Sequence, residues 1–384
     1  MALIHIALVG GQPAPIYNSI TALKPDYVVF IYSKESKWVF ENVAKEIDIP
    51  FDGSIELDPN DSKSAEITLK CAKGLAEKYS QDTIIVDISG GLKSWSHIFG
   101  ITFNGLPNST VVYIDQNNVL WDYNKMSGTK LDLELDMLTH FRLYGNSIEN
   151  NYKRFKDYTD SDNDALTKIE EIRKFNYKDF NKLLTVLSKP NNNSLRYNKF
   201  DKFILEDTNL DVEWEKTTPE KDGFVRICLY KKGEIKEVQM ESPNVVDLAF
   251  NSGWFEYKVA KLFSSLDYAK EIYLNCKFPY RKDIDKNEVD IIINTGDKIL
   301  FVECKTQITT PTDIDKFRSV IKTYGGMGSK GIFVTDSPMN DIIKKKCEEH
   351  EISTFSLSDS HLGLSPEKAL DFLLRPRLSN INIK

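Results

Sequence analysis

A chain of 384 residues is long for one hydrophobic core, and its length predicts two domains joined by a connector. The net charge of −7 argues against broad electrostatic capture of duplex DNA and favours a localised contact with phosphate. Five scattered cysteines predict neither a disulfide framework nor a zinc site, and the chain has no apolar run of membrane-spanning length and no export signal, so we expect a cytoplasmic protein without membrane contact.

The amino-terminal part alternates short apolar strands with helical stretches. Such alternation is typical of a mostly parallel sheet that helices cover on both faces. Ligands of these sheets bind beyond the carboxyl ends of the strands, so the loops at that edge carry the functional information. We predict strands at residues 4–9, 27–32, 83–88 and 110–115, and helices near residues 37–46, 64–79 and 94–103.

Glycines and lysines occupy the loops at this edge. Gly10 and Gly11 end the first strand, and Gly90, Gly91 and Lys93 lie between the strand at 83–88 and its helix. A helix N-terminus presents unpaired amides at its positive end, so a glycine turn with a nearby lysine suits a phosphorylated ligand. The alternative, that the glycine pair only serves a tight turn, stays open at this point.

The middle of the chain predicts a connector. Residues 146–209 are polar and charged, with a break at residues 190–194, and they predict helices and a linker. Short strands at residues 211–215, 223–230 and 235–240 predict a small sheet between the domains. No helix-turn-helix pattern is found there, which argues against a transcription regulator.

A helix follows the connector. Apolar residues between positions 246 and 266 follow helical spacing and predict one amphipathic helix. Glu256 lies at the edge of its buried face. A carboxylate in such a position needs a partner, and a metal ion held by neighbouring residues would supply one.

A predicted hairpin places further charged residues nearby. After a strand at residues 271–277, the strands at 287–294 and 298–306 flank a turn at residues 295–297. Alternate side chains of a strand share a face, so Glu303 and Lys305 point the same way and the hairpin can bring Asp290 beside them.

This cluster of charges predicts a metal site. Carboxylates held so close repel each other, and Mg²⁺ or Mn²⁺ makes an oxygen-rich cluster of this kind tolerable. A lysine beside the metal can position and help deprotonate a water, or stabilise charge on a phosphate under attack. The alternative is an exposed hairpin face with an ordinary cross-strand ion pair.

The order of elements extends this pattern. A helix over Thr312–Tyr324, a glycine break and a strand at 331–335 follow, and order and residues together resemble the PD-(D/E)xK nuclease superfamily. Val289 stands where the nominal motif has proline. The resemblance implies metal ligation by Glu256, Asp290, Glu303 and the Cys304 carbonyl, and assistance to the attacking water by Lys305.

The late Ser-Gly-Gly-x-Lys loop and the glycine-rich end of the first strand resemble the CARF sensor domain of type III CRISPR systems, which binds cyclic oligoadenylates. A CARF domain before a PD-(D/E)xK nuclease is similar to the CRISPR ancillary nucleases activated by cyclic tetra-adenylate. The resemblance implies a homodimer, because a two-fold symmetric ligand suits a two-fold interface. It also implies these ligand-contacting positions: Gly11, Gln12, Ser33, Lys34, Gly90, Gly91, Lys93 and Ser94.

The sequence thus predicts an α/β protein with three parts: a Rossmann-like CARF domain with a mostly parallel sheet (1–140), a helical and β-rich connector (141–243), and a restriction-endonuclease-like α/β domain (244–384). The predicted function is a cyclic-oligoadenylate-activated, Mn²⁺- or Mg²⁺-dependent endonuclease of antiviral CRISPR defence that cleaves DNA, RNA or both. Two alternatives stay open, an ungated restriction- or repair-type endonuclease and a non-catalytic nucleotide-sensing adaptor.

Overall fold

The computed structural model describes residues 1–115, 117–131, 133, 135–187, 200–205, 210–250, 252–279, 287–296, 298–306, 310–326, 328–359 and 361–378. The break predicted at 190–194 lies outside the described residues, as do Asp297 and Met327 of the two predicted turns. In the described part of the chain, no helix is long and apolar enough to cross a membrane.

The amino-terminal domain contains a seven-stranded sheet of order β3-β2-β1-β4-β5-β6-β7. Strands β1 to β5 are parallel, and the β6–β7 hairpin adds two antiparallel strands at one edge. This confirms the predicted parallel sheet. The elements are β1 (Leu3–Leu8), α1 (Pro13–Leu23), β2 (Tyr27–Tyr32), α2 (Lys37–Glu46), β3 (Phe51–Glu56), α3 (Ser64–Lys78), β4 (Thr83–Asp87), α4 (Lys93–Phe103), β5 (Ser109–Ile114), β6 (Val119–Asp122) and β7 (Ser127–Lys130).

Helices cover both faces of this sheet because its central strands are apolar at nearly every position, apart from His5 in β1 and Thr83 and Asp87 in β4. In β1, Ile6 and Leu8 pack into one hydrophobic cluster, whereas Ala7 packs into another on the opposite face. Val29 and Phe30 of β2 divide in the same way. Alternate residues of a strand face opposite sides, so a continuous apolar run indicates a sheet with two covered faces.

The connector contains helices and a four-stranded antiparallel sheet of order β12-β11-β10-β9. Three of its strands were predicted, whereas β9 lies in the segment that was predicted to form helices and a linker. Its helix α6 begins at a capping box, in which Thr159 and Asp162 satisfy each other's backbone N–H groups. The elements are α5 (Met137–Leu143), β8 (Lys153–Arg154), α6 (Asp160–Phe175), α7 (Tyr177–Leu187), β9 (Phe200–Leu205), β10 (Leu210–Glu215), β11 (Gly223–Lys231) and β12 (Glu234–Ser242).

The carboxy-terminal domain is built on a six-stranded sheet of order β17-β16-β15-β14-β13-β8. Strands β13 to β15 are antiparallel, and β15 to β17 are parallel. The predicted hairpin is therefore confirmed. The elements are α8 (Val245–Phe250), α9 (Gly253–Ser264), β13 (Glu271–Phe278), β14 (Asn287–Asn294), β15 (Ile299–Lys305), α10 (Thr312–Tyr324), β16 (Lys330–Thr335), α11 (Asp341–Glu349), β17 (Ile352–Ser356) and α12 (Pro366–Leu378).

One predicted helix is divided in the structure. The single helix expected between residues 246 and 266 is two helices, α8 and α9, separated around Ser252, whose φ of 61° is left-handed and incompatible with a continuous helix. Gly253 begins α9, and a Cβ at this position would lie 2.7 Å from the carbonyl oxygen of Asp247. The prediction of one helix was wrong because apolar spacing continues across the break.

The connector and the carboxy-terminal domain share one hydrophobic cluster, which runs from Ala165 in α6 to Leu378 in α12. Helix α5 contacts both domains. Its Phe141 packs with residues of the six-stranded sheet, whereas Leu143, two residues later, packs against the amino-terminal sheet. The domain boundaries predicted at 140 and 243 stay predictions, and the structure adds that α5 joins the two sheets.

Candidate functional site

The charged cluster lies at the end of the β14–β15 hairpin. Ile291 pairs with Val302, so Asp290 and Glu303 are the next residues along the two antiparallel strands and lie side by side. On the other side of β14, the ladder pairs Leu274 with Ile291 and then skips Asn275, whose φ is 55°. An irregularity of this kind bends a strand and redirects a side chain, here opposite Asp290.

Lys305 joins the two carboxylates. Its Nζ lies 2.6 Å from Oε1 of Glu303 and 3.9 Å from Oδ2 of Asp290. The same Oδ2 accepts a 2.7 Å hydrogen bond from the backbone N–H of Cys304. The Asp290 and Glu303 side chains are each 17% exposed. This low exposure weakens their hydration, but a small ion can still reach them.

Helix α9 brings Glu256 toward this pair. Burial raises the pKa of Glu256 well above its ordinary value, and repulsion from Asp290 adds to the effect. Burial also raises the pKa of Asp290 to about 7, assisted by the charge of Glu303. The structure therefore brings Glu256, Asp290, Glu303 and Lys305 into one electrostatic cluster, as the sequence predicts.

The charge of Lys305 responds to the same neighbours. Burial lowers the pKa of this ammonium, but the carboxylates of Asp290 and Glu303 outweigh burial and raise it overall. Burial raises the pKa of Glu303, and its ion pair with Lys305 opposes that shift. The lysine is thus a fixed positive charge within an acidic cluster.

The donor set suits a hard divalent cation, because three carboxylates that burial destabilises surround one lysine. Among the residues that the structure describes, no three His, Cys, Asp or Glu side chains are close enough to hold a metal ion as they stand. The Lys305 ammonium supplies the positive charge next to Glu303. Metal ligation, including that by the Cys304 carbonyl, stays a prediction.

The second set of candidate residues lies at the carboxyl edge of the seven-stranded sheet. Strand order reverses between β1 and β4, and in open α/β sheets this switch point is the usual ligand crevice. Here the two flanking loops touch through glycines. A Cβ on Gly90 would lie 2.2 Å from the Leu8 carbonyl oxygen and 2.8 Å from the nitrogen of Gly10, and Gly91 has a φ of 75°.

These contacts separate the glycines into two groups. Gly10, Gly90 and Gly91 are required by close packing or backbone conformation, which supports the tight-turn interpretation for them. Gly11 is exposed, and a Cβ there would meet no atom within 4 Å, so its packing does not require glycine. Sequence reasoning did not single out Gly10 as the partner of Gly90, because the two residues meet only in three dimensions.

Helix α4 has the better anion-binding terminus. It begins at Lys93 without a side-chain cap, and both Lys93 and Ser94 are exposed. Helix α1 differs, because Pro13 and Pro15 in its first turn lack N–H groups. Unpaired first-turn amides and a lysine attract anions, so of these two loops, the one after β4 offers more donors to a phosphate.

The other predicted ligand residues have mixed surroundings. Ser33 is buried and forms a capping box with Ser36, so its hydroxyl stabilises a helical turn, whereas Lys34 is exposed. Gln12 is half-buried and accepts a 2.9 Å hydrogen bond from the Tyr144 hydroxyl. Their role in ligand binding stays a prediction.

A buried polar group supports the loop after β4. Asp87 Oδ1 accepts hydrogen bonds from both the backbone N–H and the hydroxyl of Ser89, at 2.8 and 2.5 Å. The Ser89 hydroxyl oxygen in turn accepts from the Ile114 N–H at 2.7 Å. The fully buried His5 lies 3.5 Å from Asp87. The sequence signal for this arrangement is a histidine and an aspartate within otherwise apolar strands.

A cleft of about 520 Å³ lies between the carboxyl edge of the amino-terminal sheet and the carboxy-terminal domain. Gln12 and Ser89 line it on one side, and Lys298, Ile299 and Lys330 line it on the other. It is therefore bounded by a predicted ligand loop, by the loop that Asp87 supports, and by the starts of β15 and β16.

Three solved structures are similar to this chain. Can2 from Sulfobacillus thermosulfidooxidans in complex with cyclic tetra-adenylate (cA4) has a TM-score of 0.65 and 17% identity, with 98% of this chain and 99% of Can2 covered. VC1899 from Vibrio cholerae has a TM-score of 0.68 and 13% identity, with 98% and 97% covered. The chain has the fold of these proteins.

The third structure is a type III CRISPR defence DNA nuclease activated by cyclic oligoadenylate, with a TM-score of 0.60 and 13% identity; the match covers 98% of this chain and 52% of that nuclease. These likenesses concern the fold and confirm the predicted α/β class. No protein-family model matches the chain, and the comparison with curated proteins gives no match.

Proposed function

We propose that this protein is a metal-dependent nuclease of CRISPR defence, and that the nuclease is activated when the amino-terminal domain binds a cyclic oligoadenylate. The observation that carries the proposal is the cluster of Glu256, Asp290 and Glu303 around Lys305. Burial destabilises the ionised forms of these carboxylates. Together with the neighbouring lysine, they are suited to hold a cation for phosphodiester hydrolysis.

Each residue has a distinct task in this proposal. Glu256, Asp290 and Glu303 would hold Mg²⁺ or Mn²⁺, which supplies a Lewis acid that activates water and offsets charge on the phosphate. The N–H of Cys304 fixes the orientation of the Asp290 carboxylate. Lys305 orients the attacking water through its N–H donors and stabilises negative charge that develops on the phosphate oxygens.

The fold comparisons support the regulatory half of the proposal. Can2 was solved with cyclic tetra-adenylate, and the similar DNA nuclease is described as activated by cyclic oligoadenylate. In this chain the loops after β1 and β4 meet at the switch point, where Lys93 and Ser94 open an uncapped helix. A cyclic tetra-adenylate on a two-fold axis would meet the same loops from both subunits of a homodimer.

The test is a cleavage assay on single- and double-stranded DNA and RNA with Mn²⁺, with and without cyclic tetra-adenylate, and with excess chelator as a further arm. We expect cleavage that needs both the cation and the activator. Glu303→Ala should lower the rate on the order of a hundredfold or more while ligand binding is retained. Full activity in Glu303→Ala, or turnover in excess chelator, would remove the proposed site.

The same assay separates the two alternatives. An ungated endonuclease would cleave equally with and without cyclic tetra-adenylate. A non-catalytic adaptor would bind the ligand and cleave none of the substrates with any divalent cation tried.

A further inference from the structure

Tyr144 lies where the two domains meet, beside the interdomain cleft. It is half-buried just after α5, and burial raises its pKa to about 12, so its hydroxyl keeps its proton and donates to Gln12 at 2.9 Å. Gln12 belongs to the loop after β1 and occupies the N-cap position of α1, without a side-chain hydrogen bond to the helix. One side of Tyr144 is therefore bonded to a loop of the ligand-binding edge.

The ring of Tyr144 packs against the carboxy-terminal domain. A Cβ on Gly326 would lie 2.6 Å from the ring, so Gly326, with a φ of 69°, leaves room for the tyrosine. The adjoining Asn146 donates its side-chain N–H to the Tyr324 carbonyl at 3.4 Å. These contacts join the segment after α5 to the loop between α10 and β16.

That loop leads directly to the catalytic hairpin. Strand β16 begins at Lys330 and runs parallel to β15, pairing Phe333 with Glu303 and Thr335 with Lys305. Ile299, at the other end of β15, lines the same cleft as Gln12. A displacement at the cleft would thus reach Glu303, about 13 Å along β15 from Ile299, and Lys305, about 20 Å along it, through a rigid pair of strands.

The cleft leaves space for such a displacement. The cleft has a volume of about 520 Å³ and lies between the loop after β1 and the first residues of β15 and β16. Gly328, with a φ of 95°, lies at its wall. Two sheets that are joined through α5 and separated elsewhere by an open cleft can change their relative position by a small rigid-body movement.

We propose that the Gln12–Tyr144 hydrogen bond, together with the Tyr144 ring on Gly326, is the contact through which ligand binding at the amino-terminal edge controls the nuclease hairpin. Tyr144 is a positioning residue: it touches neither the substrate nor the reacting atoms. The inference rests on the proposed function, because it names the regulation of that nuclease site.

The test is Tyr144→Phe, which keeps the ring on Gly326 and removes only the hydroxyl. The readout is the ratio of the cleavage rates with and without cyclic tetra-adenylate, beside the ligand dissociation constant from calorimetry. We expect the ratio to fall about tenfold or more toward one, while the dissociation constant stays within about threefold of wild type. Tyr123→Phe, on the exposed β6–β7 hairpin, is the matched control and should keep the wild-type ratio.

Two outcomes would overturn the inference. If Tyr144→Phe keeps the wild-type ratio, the contact does not transmit the signal. If it weakens ligand binding as much as Lys93→Ala does, Tyr144 belongs to the ligand site instead. The proposed function fails in a different way, because the wild type itself would then show no ligand-dependent cleavage.

The physical contact can also be tested without activity. Amide hydrogen exchange in residues 324–326 and 328–331 should be faster in Tyr144→Phe than in wild type or Tyr123→Phe, because these residues lose one of their attachments to the amino-terminal domain. Unchanged exchange in these residues would overturn the link even if the nuclease proposal holds.

Discussion

At the scale of single residues, Asp290 experiences opposing influences. The Cys304 N–H and the Lys305 ammonium stabilise its ionised form, whereas burial and the charge of Glu303 oppose ionisation and raise its pKa to about 7. The raised pKa shows that burial and repulsion dominate. The site therefore contains unfavourable charge that a divalent cation would relieve.

This balance predicts how metal-free stability depends on pH. Between about pH 4 and pH 7 the folded protein holds a proton on Asp290 that the unfolded chain has lost, so the free energy of unfolding falls as the pH rises through this window. Asp290→Asn should remove this loss of stability, which is on the order of 1–3 kcal/mol at pH 8 once solvent screening of the partly exposed side chain is allowed for. In chelator, the variant should melt higher than wild type at about pH 8, with the difference shrinking near pH 5.

Thermal unfolding at the two pH values provides the measurement, and added Mn²⁺ should stabilise wild type more than the variant. Equal melting temperatures at both pH values would show that Asp290 carries no such strain. Asp290→Asn should also lose cleavage, since an amide is a weaker cation ligand than a carboxylate.

Lys305 gives a second prediction at this scale. Lys305→Ala removes the ammonium that lies 2.6 Å from Glu303, and we expect the cleavage rate to fall on the order of a hundredfold. Lys316→Ala, on the exposed face of α10, is the control of matched charge and should cleave like wild type. Single-turnover kinetics at saturating Mn²⁺ measure both, and equal rates would exclude the assigned role of Lys305.

At the scale of elements, the loops after β1 and β4 depend on each other. Gly90→Ala places a Cβ 2.2 Å from the Leu8 carbonyl oxygen, and backbone atoms cannot yield as a flexible side chain would. We expect a loss of about 1–3 kcal/mol in the free energy of unfolding. Gly11→Ala meets no atom within 4 Å and should change stability by less than about 0.5 kcal/mol.

Denaturant unfolding of the two variants tests this distinction, which sequence alone does not provide. If Gly11→Ala destabilises the protein as much as Gly90→Ala, the loop packing described here is wrong. If Gly11→Ala is stable but binds ligand more weakly, the open space at Gly11 serves the ligand.

Several elements were predictable because their side-chain pattern matches a single type of structure. The apolar run of β2, the apolar positions of β14 before a glycine turn, and the helical spacing of α10 predict ends that match the structure to the residue. Strand β3 was missed because Asp52, Gly53 and Ser54 interrupt any apolar alternation. The break at Ser252 was missed because a left-handed backbone at a serine has no side-chain signature.

The candidate site likewise has contacts that the sequence predicts and contacts that it does not. Strand alternation and hairpin pairing were sufficient to predict that Asp290, Glu303 and Lys305 meet. The contact between Tyr144 and Gln12 joins residues 132 positions apart, and no local pattern indicates it. Tertiary contacts of this kind become visible only when the two domains are seen together.

At the scale of the whole molecule, the proposed homodimer predicts the stoichiometry of ligand binding. A ligand that contacts Lys93 and Ser94 of both subunits binds once per dimer, and Lys93→Ala should weaken it by removing a cation from each half-site. Calorimetry with cyclic tetra-adenylate should give one site per two chains for wild type, and a stoichiometry of one per chain would contradict the shared site. Lys45→Ala, at an exposed position in the last turn of α2 and therefore at the opposite edge of the sheet, is the control.

Cys304 makes the β14–β15 hairpin accessible to a simple chemical observation. Its thiol is buried within β15, and burial raises its pKa, so alkylating reagents, which attack the thiolate, meet almost none in the folded protein. Modification has to wait until β14 and β15 separate. The rate at which iodoacetamide labels this cysteine, followed by peptide mass spectrometry, therefore measures how often the centre of the carboxy-terminal domain opens.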